Sequence, residues 1–400
     1  MRKYLLFMTI VFLMGLPVFS QKYKRIHRAA VLVDTHNDFP SKAIEKNLLF
    51  DSDLSGKAHS DLGRMKKGGV DVQIFSIWCD GKMPQPYKWA NREIDSIYAI
   101  TLRNWQKMEI AFTPADLKRI VRQEKFAAMM GIEGGHMIED DLTKLDSLYN
   151  RGVRYMTLTW NNSTSWATSA MYEASLKTSS KENASADSVV RKGLTDFGKQ
   201  VVTRMNELGM MVDISHVGEQ TFWDVMQTTT KPVLASHSCA YTLCPVFRNL
   251  KDDQLKAIAE NNGVVCLNFF SGFVDSTYNK KNRAFNERHK AERDSILNTV
   301  TDSYFADSYL FEKYAAEVMA LRPPLSLLMD HLDYIVKLVG VNHVGLGSDF
   351  DGINSAPQGL DGVQDFPKIT EELVKRGYKK KEIKKILGGN VLRVFKDNQR

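Results

Sequence analysis

A closed eight-stranded parallel α/β barrel, the (β/α)8 TIM barrel, is the fold that this 400-residue sequence predicts, and three observations predict it. Eight short apolar runs recur at residues 30–33, 70–78, 126–132, 153–159, 210–215, 233–236, 264–270 and 344–348. Helical patterns lie between most of them, at 142–151, 194–208, 220–227 and 253–261, and strand–helix alternation implies parallel pairing. The runs end beside residues able to bind metal or substrate, and barrels of this kind carry their sites at the C-terminal ends of their strands. A hydrophobic content of 43% over this length is enough to bury one large core.

The chain opens with Arg2 and Lys3 ahead of an apolar run over 4–19 that Gly15 and Pro17 interrupt. Such a segment reads as a secretory leader, residues 1–20, with a cut ahead of Gln21. The run falls short of the roughly 20 residues that a membrane-spanning helix needs, and no second run of that length follows. Residues 21–400 are therefore expected to form a single domain, exported to a periplasm or to the outside, with no transmembrane segment once the leader is gone. A formal charge of +7 is modest, and without a long Lys/Arg block it gives no nucleic-acid footprint. Cys79, Cys239, Cys244 and Cys266 number enough for two bridges, but three lie in or beside apolar runs, where free buried thiols are the commoner state.

Two stretches exceed what a simple barrel needs. Residues 170–190 are rich in Ser, Ala, Lys and Glu and read as a surface loop above the strand ends. Residues 278–321 are charged and helical in composition and stop at Pro323-Pro324, which suggests a helical excursion after the seventh strand; a disordered linker stays open for part of it.

The chemistry begins at Val33-Asp34-Thr35-His36-Asn37-Asp38. Side chains two apart on an extended strand share a side, so His36 and Asp38 can grip one cation together. Alone, the pair reads equally as a hydrogen-bonded loop. Glu133, in Gly131-Ile132-Glu133-Gly134-Gly135-His136, can bridge two cations, with a salt-bridged turn residue as the alternative. His216 and His237 terminate consecutive apolar runs and offer neutral nitrogens to a second cation, with Ser215, Ser238 or Asp213 available to fix their tautomers. Imidazole and carboxylate without thiolate suit zinc first, with manganese or cobalt as substitutes. His136 and His343 are poorer ligand candidates. Asp349, in Gly347-Ser348-Asp349-Phe350-Asp351-Gly352, can carry a proton between an activated water and a leaving amine, while Asp351 holds the turn. Calcium binding by Asp349 and Asp351 is the competing reading.

Several of these strings, in the same order, resemble the membrane (renal) dipeptidase family, peptidase family M19. They are Asp34 to Pro40, Gly131 to His136, Arg154-Tyr155-Met156-Thr157-Leu158-Thr159, Ser236-His237-Ser238, Gly347 to Gly352, and the closing Gly389-Asn390-Val391-Leu392-Arg393-Val394-Phe395. The resemblance covers essentially the whole mature chain. It implies a binuclear zinc barrel of the amidohydrolase type that hydrolyses dipeptides, with two Zn2+ per chain. By the matched motifs, His36 and Asp38 resemble the ligands of one zinc, His216 and His237 those of the other, and Glu133 the bridge. Asp349 resembles the acid/base residue, and Arg248 the anchor for the substrate's free carboxylate; an ordinary surface arginine paired with Asp252 or Asp253 is the alternative for the latter.

One position departs from the family pattern. Mammalian members carry a substrate-polarising His after the Arg154 to Thr159 string, where this chain has Trp160. An indole donates one hydrogen bond and neither accepts one nor titrates near neutral pH, so the substrate range and the oxyanion contact are the features that Trp160 would alter. The expected reaction is attack on a peptide carbonyl by a hydroxide held between two cations, with Asp349 passing the proton to the leaving nitrogen. Hydrolysis of another amide or lactone, and a non-catalytic exported binding barrel, are the competing functions. A homodimer stays open.

Overall fold

The computed structural model describes residues 21–179, 193–298 and 303–399; the expected leader lies outside them. Among these residues nine strands form: β1 (Val33–Asp34), β2 (Val72–Trp78), β3 (Met108–Ile110), β4 (Phe126–Glu133), β5 (Val153–Thr157), β6 (Met211–Asp213), β7 (Leu234–Ala235), β8 (Val264–Leu267) and β9 (Val344–Leu346). Every pairing is parallel, and eight of the strands close on themselves, with β1 joined to β9 and β2 joined to β4. The predicted barrel is thus the observed one.

The extra strand, β3, carries no signal in the sequence because it is three residues long. It pairs with Phe126–Ala128 on the edge of β4 that β5 occupies only from Met130 onward. Several predicted strands also end earlier than their apolar runs. Their last residues curl into the mouth as bends and turns, which is what frees their side chains for a site.

The helices between strands run as α1 (Phe39–Lys46), α2 (Leu62–Gly68), α3 (Pro86–Arg103), α4 (Pro114–Arg122), α5 (Leu142–Asn150), α6 (Ala170–Ser179), α7 (Asp196–Leu208), α8 (Glu219–Thr228) and α9 (Asp252–Glu260). Their starts follow capping rules. Thr113 and Asp116 make a reciprocal capping box at the start of α4, and Thr195 accepts from Gly198 N–H at the start of α7, contacts worth about 1 kcal/mol each. The stretch expected as a surface loop begins instead as α6; its remainder, 180–190, lies outside the described residues. The predicted excursion is helical, with α10 (Tyr278–Arg288), α11 (Lys290–Leu297), α12 (Ser303–Lys313) and α13 (Ala315–Leu321) around a small core of Tyr278, Phe285, Leu310 and Phe311. Pro324 then caps α14 (Leu325–Val339). The chain ends in α15 (Phe366–Lys375) and α16 (Asn390–Asn398), whose Val391, Val394 and Phe395 pack with the barrel interior.

Strand alternation divides the core in two. Val72, Ile74, Ala127, Met129, Tyr155, Met211 and Leu234 fill the barrel interior. Their neighbours Phe75, Ile77, Ala128, Met130, Met156, Val212 and Ala235 face the helices. All four cysteines are buried and free, so no bridge staples the fold. Among the described residues no helix is long and apolar enough to cross a membrane.

Candidate metal centre

The inner-facing series sets the site. Extending β4, β5, β6 and β7 by two residues beyond Gly131, Tyr155, Met211 and Leu234 brings Glu133, Thr157, Asp213 and Ser236 to the mouth on the inner side. His36 and Asp38 follow β1, whose line continues through a parallel bridge between Asn37 and Phe350. His216 and His237 sit just past β6 and β7. His216 adopts φ 64° and Asp349 φ 62°, the left-handed region that L residues occupy at a cost and that collects at functional sites.

These side chains converge at the barrel mouth. Nε2 of His36 lies 3.5 Å from Asp38 Oδ2 and 3.5 Å from Glu133 Oε2. The other oxygen of Glu133, Oε1, lies 2.8 Å from His216 Nε2 and 3.3 Å from His237 Nε2, and these two nitrogens are 3.0 Å apart. One carboxylate therefore presents a separate oxygen to each of two ligand groups. Donors about 2.1 Å from a tetrahedral ion lie about 3.4 Å from one another, close to the spacing around His36. His36 Nε2 is buried and without a hydrogen-bond partner, as a ligand atom should be. His36 with Glu133 and His237, and His36 with Asp38 and Asp349, each gather within the reach of one ion.

Charge agrees with geometry. Burial lowers the His36 pKa, but the Tyr155 oxygen and the Asp38 and Glu133 carboxylates overcome it and raise it well above the usual value. The two acids demand positive charge at this point, which a divalent cation supplies. Burial also works against the Glu133 carboxylate, yet the surrounding imidazoles hold its pKa well below the ordinary range. Burial brings His216 down to about 4 and holds His237 well below its usual value, keeping both as the neutral imidazoles that ligate metals.

The outer partners fix which nitrogen is bare. Tyr155 Oη donates to Thr35 O at 3.1 Å, so it accepts the Nδ1–H of His36 at 2.8 Å and leaves Nε2 free to ligate. Gly131 makes this reach feasible, because a Cβ there would stand 2.1 Å from Cζ of the Tyr155 ring. His237 is set by Ser236, whose hydroxyl donates to Asp213 Oδ2 at 2.6 Å and accepts from Nδ1 at 2.7 Å. Asp213 also accepts from Thr157 Oγ1 at 2.5 Å and from the backbone N–H of Ser215 and Ser236. Asp213 is thus a partner as expected, but through Ser236; Ser215 and Ser238 do not contact either ring nitrogen, and His216 Nδ1 has no partner. The role of Tyr155 went unseen, although its place on the inner face of β5, two residues before Thr157, is readable from strand parity.

Asp349 faces the His36 side of the centre, where Asn268 Nδ2 donates to its Oδ2 at 2.8 Å. Burial, then the charges of Asp38 and Glu133, raise its carboxyl well above the ordinary range against the pull of His36 and Asn268. A carboxyl whose proton affinity is raised takes up and returns a proton more readily, which suits an acid/base role. Asp351 turns away: its Oδ1 accepts from Lys42 at 3.1 Å and from His59 N–H at 2.7 Å. Through that oxygen Asp351 holds the turn, while its Oδ2 is buried without a hydrogen-bond partner.

Arg248 is buried and pairs with neither Asp252 nor Asp253. Its Nη2 donates to His237 O at 3.3 Å, its guanidinium stacks 5.3 Å from the Phe273 ring centre, and its Nε has no partner. It lines a cavity that His216 and Ser238 also line. Trp160 is half-buried with its ring edge-on to Trp78 at 5.0 Å. His136 stands beside the centre, 3.6 Å from Cys79 Sγ, and His343 bonds Gly263 O far from it.

Residues 20–400 match the family model for membrane dipeptidase, peptidase family M19. The fold is that of the probable dipeptidase PvdM from Pseudomonas aeruginosa, at 24% identity and a TM-score of 0.74 over 96% of this chain and 99% of that one. It is likewise that of a metallopeptidase from Rhodobacter sphaeroides liganded with a phosphinate mimic of L-Ala-D-Ala, at 23% identity and a TM-score of 0.72 over 92% and 99%. With the family model matched along nearly the entire sequence, the protein belongs to the membrane dipeptidase family, peptidase family M19, and is a metallo-dipeptidase.

Proposed function

We propose that this chain hydrolyses dipeptides with two zinc ions, one held by His36 and Asp38, the other by His216 and His237, and both by Glu133. The observation that carries the reading is the split of the Glu133 carboxylate, Oε2 toward His36 and Oε1 toward the two other imidazoles. Cations held by these residues would supply Lewis acidity to activate a water and polarise the peptide carbonyl. The protein's own residues do the rest. Tyr155 and the Ser236–Asp213 pair keep the ligand nitrogens bare, Arg248 holds the free carboxylate of the substrate, and Asp349 takes the proton of the attacking water and delivers it to the leaving nitrogen. Asn268 keeps the Asp349 carboxyl turned to the centre. In this reading Trp160, packed edge-on to Trp78, biases which side chains enter.

Elemental analysis of purified protein should find close to two divalent ions per chain, with zinc preferred. Glu133→Gln should disturb both, because an amide has no second anionic oxygen to share. Two ions retained in that variant, or none in the parent, would overturn the reading. The same proposal treats residues 1–20 as a leader and the enzyme as exported, and a mature N-terminus at Gln21 on the secreted protein checks it.

A further inference from the structure

A cavity of about 200 Å3 opens beside His216, with Ser238 and Arg248 at its polar end and Ala170, Glu173 and Ala174 of α6 in its wall. A single water needs only about 10–15 Å3 of such space, so the cavity is the size of an organic group. Its charges are spoken for at one end and unclaimed at the other. Glu173 accepts the backbone N–H of Glu219 at 2.8 Å and of Gln220 at 3.3 Å, which caps the positive end of α8. Glu219 in turn takes Lys251 with both oxygens at 2.8 Å. Ser238 Oγ and Arg248 Nε, both on buried side chains, have no partner.

Glu173 can reach that helix end only because residue 218 has no side chain. A Cβ on Gly218 would lie 2.6 Å from the Glu173 carboxyl carbon. The wall helix α6 is therefore clamped to the element that follows the metal ligand His216, and its distance from Arg248 is set by one capped carboxylate.

Resting on the dipeptidase reading, we propose that this cavity receives the side chain of the substrate's C-terminal residue, and that Glu173 sets its size by pinning α6, making Glu173 a positioning residue for specificity. Because Glu173 and Glu219 are neutralised by their own partners, the cavity takes uncharged side chains. With the clamp in place the position of α6 bounds how large a side chain it takes.

The test uses the metal-loaded full chain and two dipeptide series, Ala-Xaa and Xaa-Ala, with Xaa as Gly, Ala, Leu and Phe. Glu173→Ala should raise kcat/KM for Ala-Phe relative to Ala-Ala by about tenfold, the scale on which a pocket senses a few methylenes. Selectivity in the Xaa-Ala series should stay within twofold, and metal content should be unchanged. Gly218→Ala, which keeps every wall residue but displaces the Glu173 side chain, should produce the same shift, and serves should Glu173→Ala fail to fold. A uniform loss across both series, or an unchanged Ala-Phe to Ala-Ala ratio with both ions bound, overturns the proposal. Absence of ions or of any dipeptide cleavage in the parent overturns the underlying reading instead.

Discussion

Replacing Tyr155 by phenylalanine removes a single oxygen and keeps the ring that fills the space beside Gly131. In the parent, that oxygen accepts the Nδ1–H of His36, a residue with no exposed surface. In Tyr155→Phe the N–H is left buried without an acceptor, at a cost of about 1–3 kcal/mol. The imidazole can escape only by moving its proton to Nε2, the atom that must be bare to ligate. Loss of such an outer partner weakens metal affinity by about 10- to 100-fold, which is about 1.4–2.8 kcal/mol at 1.4 kcal/mol per decade, so the two estimates agree. The loss should be confined to the ion at His36 and Asp38, because His237 is oriented separately by Ser236 and Asp213. Competition against a chromophoric chelator should show one site weakened and one unchanged, and dialysis should leave close to one ion per chain. Parent-like affinity at both sites, or equal weakening of both, refutes the assigned tautomer and the independence of the two outer shells.

Asp349→Asn keeps the side-chain volume and removes the proton carrier, so kcat should fall about 10²-fold or more with metal content retained; near-parent turnover reassigns the role. Arg248→Met and amidation of the dipeptide's C-terminus should each lower kcat/KM by at least about tenfold, and together hardly more than either alone, because both remove the same charged hydrogen bond. Equal cleavage of amides and free dipeptides contradicts the anchor. His331 accepts from Ala240 N–H at Nδ1 and donates from Nε2 to Val274 O, so only the neutral ring fits, and burial lowers its pKa from 6.5. Its stabilising contribution is complete above about pH 6.5, the unfolded value, and is lost as pH falls through the lower folded value. Thermal midpoints measured from pH 7.5 to 5 should therefore fall less in His331→Gln than in the parent, starting from a lower value; parallel curves dismiss His331 as an acid-sensitive support.

The amino-acid order alone determined the barrel and pointed to most of the residues that gather at the candidate site. Both depend on local signals: apolar runs of strand length alternating with helical periodicity, and imidazole or carboxylate placed where a run stops. His36 and Asp38 announce themselves by spacing, and Glu133 by the glycines after it. Tyr155 and Asn268 did not, since a tyrosine or asparagine near an apolar run marks nothing until the barrel closes and brings β5 across to β1, or β8 beside β9. The conversion of 170–179 from an expected loop to a helix follows the same logic, because the Glu173 cap that anchors it lies 46 residues away at Glu219. Strand β3 needed the free half-edge of β4, which exists only where β5 starts late. Which oxygen of Glu133 meets which imidazole, and which histidine nitrogen is left bare, were decided by hydrogen bonds between residues far apart in sequence. A chain can specify such contacts only through the geometry of the closed barrel, since local propensity acts over a few residues and the tautomer of a buried ring depends on what stands opposite it.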